Sequence, residues 1–407
     1  MFNRSSGFSV AASTVAFSAL AFAGPLTPPP GPVAPTPGPE PRIAINATNT
    51  PGDNDATPST FKITQPGSYY FASSLTGAVG KAGIEIAASN VTIDLNGFTL
   101  ESANGSLSGI VSHTAVKGIV IRNGMLTNWI DRAINLTGQS PETAAASVAI
   151  SDLTITGASE VAIQVASFVR IESVIVDGAS SGIFANQHCA IRNCTVQAAT
   201  SAIGVDAYST IEGCTVRAGD DGLYLGGRGT VARNCNVAQA SIGINVASGA
   251  GNDGIVVEGC SVASFSNVGI ASTAGSTARI EGNSVTGDPN KNPAAGIWAG
   301  DMNQVHNNVV RNVRASGGAS SGILISGSAG RTSVRGNNVV NCDKGIRSSN
   351  GGNAIFANTL SLNTKQFELA ANNRVGPIST GTLSPQIDGN SGGNGMGSTD
   401  PNANILY

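Results

Sequence analysis

The residues best suited to chemistry are two adjacent carboxylates, Asp220 and Asp221, set between Gly219 and Gly222. Neighbouring carboxyl groups on an exposed turn can act as acid and base in glycosidic hydrolysis, because proximity pushes their pKa values apart. The plainer alternative is that Asp and Gly simply suit a tight turn. Arg217 and Arg228 flank the pair and supply basic groups of the kind that abstract the C5 proton of a uronate in lyase or epimerase chemistry. Asp220, Asp221, Arg217 and Arg228 are therefore the candidate catalytic residues. Phe184, His188, Asp206, Tyr208 and Tyr224 are the candidate substrate-binding residues. Their rings offer stacking faces and the carboxylate can accept from sugar hydroxyls. An ordinary solvated flank would look the same in sequence.

A short phrase repeated along the chain must position these residues. It reads Ser-Gly-Ile-Phe-Ala from Ser181, Ser-Ala-Ile-Gly-Val from Ser201 and Asp-Gly-Leu-Tyr-Leu from Asp221. Its central aliphatic forms a column: Ile84, Ile110, Ile134, Ile163, Ile183, Ile203, Leu223, Ile244, Ile270, Ile297, Ile323 and Ile346. A second column follows about eight residues behind, from Ile93 and Ile121 through Ile211 and Ala232 to Ile355. Periods of this size indicate a stacked solenoid, and alternate aliphatics within each beat indicate strands with one face inward. The expected fold is all-β, a single right-handed parallel β-helix of about twelve coils.

Two further columns limit what may be claimed as chemistry. Three residues after the second aliphatic come Cys194, Cys214, Cys235 and Cys260, then Asn283, Asn308, Asn337 and Asn358. Stacked Asn side chains can hydrogen-bond from coil to coil, and the Cys run is the apolar form of the same slot. Parallel side-chain vectors disfavour the torsion a disulfide needs, so the thiols are expected to be reduced and buried. One residue after the second aliphatic, charges mostly alternate in sign: Glu172, Arg192, Glu212, Arg233, Glu258, with Glu281 as the exception. Such arginines have a structural job as ladder partners.

Composition supports the same picture. Hydrophobic residues make up 41% and charged residues 12%, with 52 Gly and a net charge of −3. No basic stripe exists for nucleic acid. Arg4, the apolar run Phe8 to Phe22 and Ala21-Phe22-Ala23 read as an export signal over 1–23, too short to span a bilayer. A Pro-rich linker over 24–60, the β-helix over 61–369 and a Gly/Asn/Ser-rich tail over 370–407 follow, the tail with an apolar end suited to cap the stack. Exported, extracellular, periplasmic or cell-surface placement is expected, with no integral membrane segment after signal cleavage. His113, His188 and His306 are too far apart in coil number for a histidine metal site, and no cofactor is required. Calcium is conceivable at the Asp cluster, but regular ligand spacing is lacking.

Ile63-Thr-Gln-Pro-Gly-Ser-Tyr-Tyr70, Asn90-Val-Thr-Ile-Asp-Leu-Asn-Gly-Phe-Thr-Leu100 and repeats such as Ile191-Arg-Asn-Cys-Thr-Val196 resemble the pectin-lyase-like right-handed parallel β-helix superfamily. The resemblance covers roughly 61–369 and implies the fold, with a polysaccharide or cell-envelope glycan as partner. It includes lyases, epimerases, glycoside hydrolases, adhesins and proteins without activity, so it does not imply one reaction. The Asp220–Asp221 pair is similar to that of polygalacturonase-type glycosidases. Those also carry an Asp one coil earlier and a His one coil later, where this chain has Thr200 and Ser201, and Ile242. Two classes follow: an exported carbohydrate-active protein, or a non-catalytic surface scaffold.

Overall fold

The computed structural model describes residues 42–138, 146–249, 251–273, 275–380 and 400–406. The expected signal lies outside the described residues. Fourteen parallel strands, from Ser59–Ile63 to Lys365–Leu369, form one continuous sheet. The aliphatic column runs through it in register: Ile84 pairs with Ile110, Ile163 with Ile183, Ile183 with Ile203, and Ile323 with Ile346. Two coils more than expected are present because Phe replaces the aliphatic at both ends. Phe61 pairs with Ile84, and Phe367 with Ile346.

The remaining strands form a second and a third stack, joined where Lys117–Thr127 and Ala146–Thr156 each run across both. The second aliphatic column is also in register, as at Ile191 with Ile211 and Ile211 with Ala232. Side chains at alternate positions point inward, and Ile183, Ile203, Leu223, Ile191 and Ile211 are fully buried. Each such burial stabilises by roughly 1.5–3 kcal/mol. The one short helical turn among the described residues is Pro289–Lys291.

The bend between second and third stacks explains the spacing of the Asn-rich phrase. Asn96, Asn123, Asn193, Asn234 and Asn307 occupy it on their coils at φ between 51° and 62°, and Gly213, Gly259, Gly282 and Gly336 do so on others. Left-handed backbone is strained for most residues and tolerated by Asn and Gly. From Asn193 onward the next residue turns inward and carries the Cys/Asn ladder, from Cys194 to Asn358. Asn283 donates its side-chain amide to the Asn308 carbonyl at 3.0 Å, Asn308 to Asn337 at 3.0 Å and Asn337 to Asn358 at 3.0 Å. All six cysteines are free and buried.

The body begins earlier than the composition of 24–60 suggests. Ile43–Ala44 pairs with Gly67–Tyr70, and Pro51 bridges to Phe61 across the first coil. Lys62 pins this cover, with its ammonium 2.5 Å from Asp53 and 3.1 Å from Glu85. At the other end, Asn404–Leu406 inserts as a parallel strand between Thr359–Ser361 and Ile378–Thr380.

Candidate functional site

Residues one place after the first-sheet aliphatic point away from the core, and their register sets the outer face of that sheet. Gln164 pairs with Phe184, Phe184 with Gly204, Gly204 with Tyr224, and Tyr224 with Asn245. Gly204 has a specific use here. A Cβ at that position would come within 2.7 Å of the Phe184 ring, so only Gly lets the ring lie across the strand. Tyr224 stands on the next coil and is 37% exposed. Between and beside the rings is a recess of about 300 Å³ lined by Gln164, Phe184, Asn186, Asp206 and Tyr224. One Asp206 oxygen accepts from the Ala207 N–H at 2.7 Å, and the other has no hydrogen bond among the described residues.

Asp221 opens the Asp221–Leu225 strand and reaches along the same face to the next coil, accepting from the Asn245 amide at 3.1 Å. Partial burial raises its pKa and Asp220 raises it further, while the Asn245 hydrogen bond opposes both. Asp220 is exposed on the preceding bend. The sheet thus brings Asp206, Asp221, Phe184 and Tyr224 onto its outer side.

The other candidates lie elsewhere. Arg217 ends a third-stack strand, in register with Gln197, which pairs with Asp177. It lines a different recess, of about 640 Å³, with Gln197, Gln239 and Lys291. His188 sits in the bend between the first and second stacks, between Phe168 (ring centroids 4.8 Å apart) and Tyr208 (5.1 Å). Its two ring faces are therefore occupied within the chain. Arg228 does not continue that column, because the coil gains one residue: Ile211 pairs with Ala232, and Gly229 lies under the Tyr208 ring. Arg228 instead bonds Asp253 at 2.6 Å and the Gly251 carbonyl at 3.3 Å. The four candidate catalytic residues do not converge. Among the described residues, no three His, Cys, Asp or Glu side chains are grouped to hold a metal ion.

A third recess, of about 790 Å³, follows the charge ladder at Glu212, Arg233, Glu258 and Glu281. Its charges are spent on one another: Arg192 meets Glu212 at 3.2 Å and Arg233 meets Glu258 at 3.3 Å. Arg279, two residues before Glu281, lies between the like-charged neighbours and contacts both. In the sequence this face is marked by the column one residue after the first aliphatic, which contains Gln164, Asn245 and also Trp298. Trp298 shares the first-sheet face and donates its indole N–H to Ser326 at 2.5 Å.

Residues 201–364 match the family model described as right handed beta helix region. No curated protein sequence matches the chain. Among solved structures, the AlgE6 mannuronan C-5 epimerase A-module of Azotobacter vinelandii is similar at 13% identity and a TM-score of 0.49, over 84% of this chain and 87% of that one. A tailspike protein mutant of E. coli bacteriophage HK620, in complex with a pentasaccharide, is similar at 15% identity and a TM-score of 0.48, over 84% and 72%. Among the described residues, no helix is long and apolar enough to cross a membrane. The register of the three stacks, together with the family model over the second half of the stack, makes this chain a right-handed parallel β-helix protein.

Proposed function

We propose that the protein is an exported glycan-binding β-helix whose binding face is the outer side of the first sheet at Phe184, Asp206 and Tyr224. The observation that carries this reading is the recess between two rings, floored by Gly204 and edged by amide and carboxylate groups. Apolar ring faces suit the C–H face of a pyranose, and a few placed polar groups suit its hydroxyls. Export rests on the apolar leader in the sequence. Turnover has narrower support: partial burial raises the Asp221 pKa, as a general acid requires, while Arg217 and Arg228 point elsewhere.

Binding is tested by affinity electrophoresis of the full chain through gels containing single polysaccharides. Tyr224→Ala should weaken retention about tenfold, or about 1.4 kcal/mol, with unchanged circular dichroism. Equal retention of variant and wild type on every polysaccharide that retains the protein would move the site away from this face. In parallel, formation of unsaturated uronate is followed by absorbance with and without calcium. Product abolished by Asp221→Ala would establish an enzyme; binding without product leaves a lectin-like protein, and neither leaves a scaffold.

A further inference from the structure

The charge around the Phe184–Tyr224 recess narrows the ligand. Asp206 lines it, and Asp221 approaches along the same face through Asn245. Among the described residues, no Lys or Arg lines it. Arg228, which follows the lining residue Gly226 closely in sequence, is held by Asp253 and the Gly251 carbonyl. The other polar groups at the recess, Gln164 and Asn186, are neutral amides. Arg217 and Lys291 both line the separate third-stack recess.

We infer that the first-sheet face selects uncharged glycans and rejects polyuronates. This inference rests on the glycan-binding reading above and goes against the uronate chemistry for which Arg217 and Arg228 are candidates. A uronate carboxylate over the Tyr224 ring would lie close to Asp206 with no cation between them. At roughly 7 Å and an effective dielectric near 40, that repulsion lowers affinity about fivefold or more. A neutral sugar there donates a hydroxyl to the Asp206 oxygen that does not accept from Ala207 and rests its C–H face on Tyr224. Amides at Gln164, Asn186 and Asn245 can both donate and accept, which suits hydroxyls.

The full chain is run through gels containing a neutral galactomannan, a neutral mixed-linkage glucan, polygalacturonate or alginate, each with and without calcium. Retention by at least one neutral polysaccharide, at least about fivefold stronger than by either polyuronate, is the expected result. Asp206→Asn should narrow that gap by raising polyuronate retention, a change that a merely structural Asp206 would not produce. Retention by a polyuronate equal to or stronger than by the neutral polymers, in either calcium condition, overturns the selectivity and leaves the glycan reading intact. No retention by any of the four overturns both.

Discussion

At the scale of single residues, the second-to-third bend decides most of what the chain tolerates. Its left-handed position is held by Asn or Gly on nine coils, and Ala357 is an exception at φ 57°. The Ala357 amide donates to the Asn402 carbonyl at 2.9 Å, so the conformation is held by the returning C-terminal segment. A left-handed Ala costs roughly 1–2 kcal/mol, and Gly relieves this against a somewhat larger entropy loss on folding. Ala357→Gly should therefore stabilise by about 0.5–1 kcal/mol, read as a raised denaturant midpoint with unchanged slope. At the candidate site, Gly204 is the comparable residue: its missing side chain, more than any charged group, makes room for the Phe184 ring.

At the scale of elements, stability runs in columns along the stack. Asn308 accepts from the Asn283 backbone N–H at 3.0 Å as well as from its side chain, and its own amide reaches the Ile280 carbonyl at 2.9 Å. Removing it strands buried donors on Asn283, each worth about 1–3 kcal/mol. Asn308→Ala should lower stability by about 3 kcal/mol in denaturant titration. Asn308→Cys should lower it less, because upstream coils already place Cys in this slot, where the Cys260 thiol donates to the Ala232 carbonyl at 3.8 Å, the counterpart of the Ile280 carbonyl that Asn308 reaches. Equal losses for the two variants would show that volume, not hydrogen bonding, sets the column.

For the molecule as a whole, the ends matter, because a parallel stack exposes a strand edge wherever it stops. The first coil is covered by the segment that bridges Pro51 to Phe61. At the other end the stack is extended by insertion: Asn404 takes the next place in the Asn ladder, accepting from the Asn358 side chain at 3.1 Å, and Ile405 and Leu406 pair with Thr359 and Leu360. Asn404–Leu406 is thus a strand within the stack. Deleting Gly397 to Tyr407 should lower Tm by roughly 3–8 °C and promote aggregation. An unchanged Tm and unchanged light scattering would reduce the inserted strand to a bystander.

By itself the sequence determined the coil: a period near twenty residues, two inward aliphatic columns, a Cys/Asn ladder and alternating outward charges. These were legible because neighbouring coils repeat the same burial and the same strained bend, so each requirement recurs at a fixed interval. The count fell short by two coils only where Phe61 and Phe367 break the aliphatic type. Only the tertiary structure decided which outward residues share a face. Asp177, Gln197 and Arg217, and likewise His188 and Tyr208, are spaced twenty apart, yet they lie on the third stack and on a bend and do not line the Phe184–Tyr224 recess. One added residue between Leu223 and Ala232 was enough to take Arg228 out of line. Periodicity reports the position of a residue along the coil; the angle through which each bend turns the chain decides the direction its side chain faces.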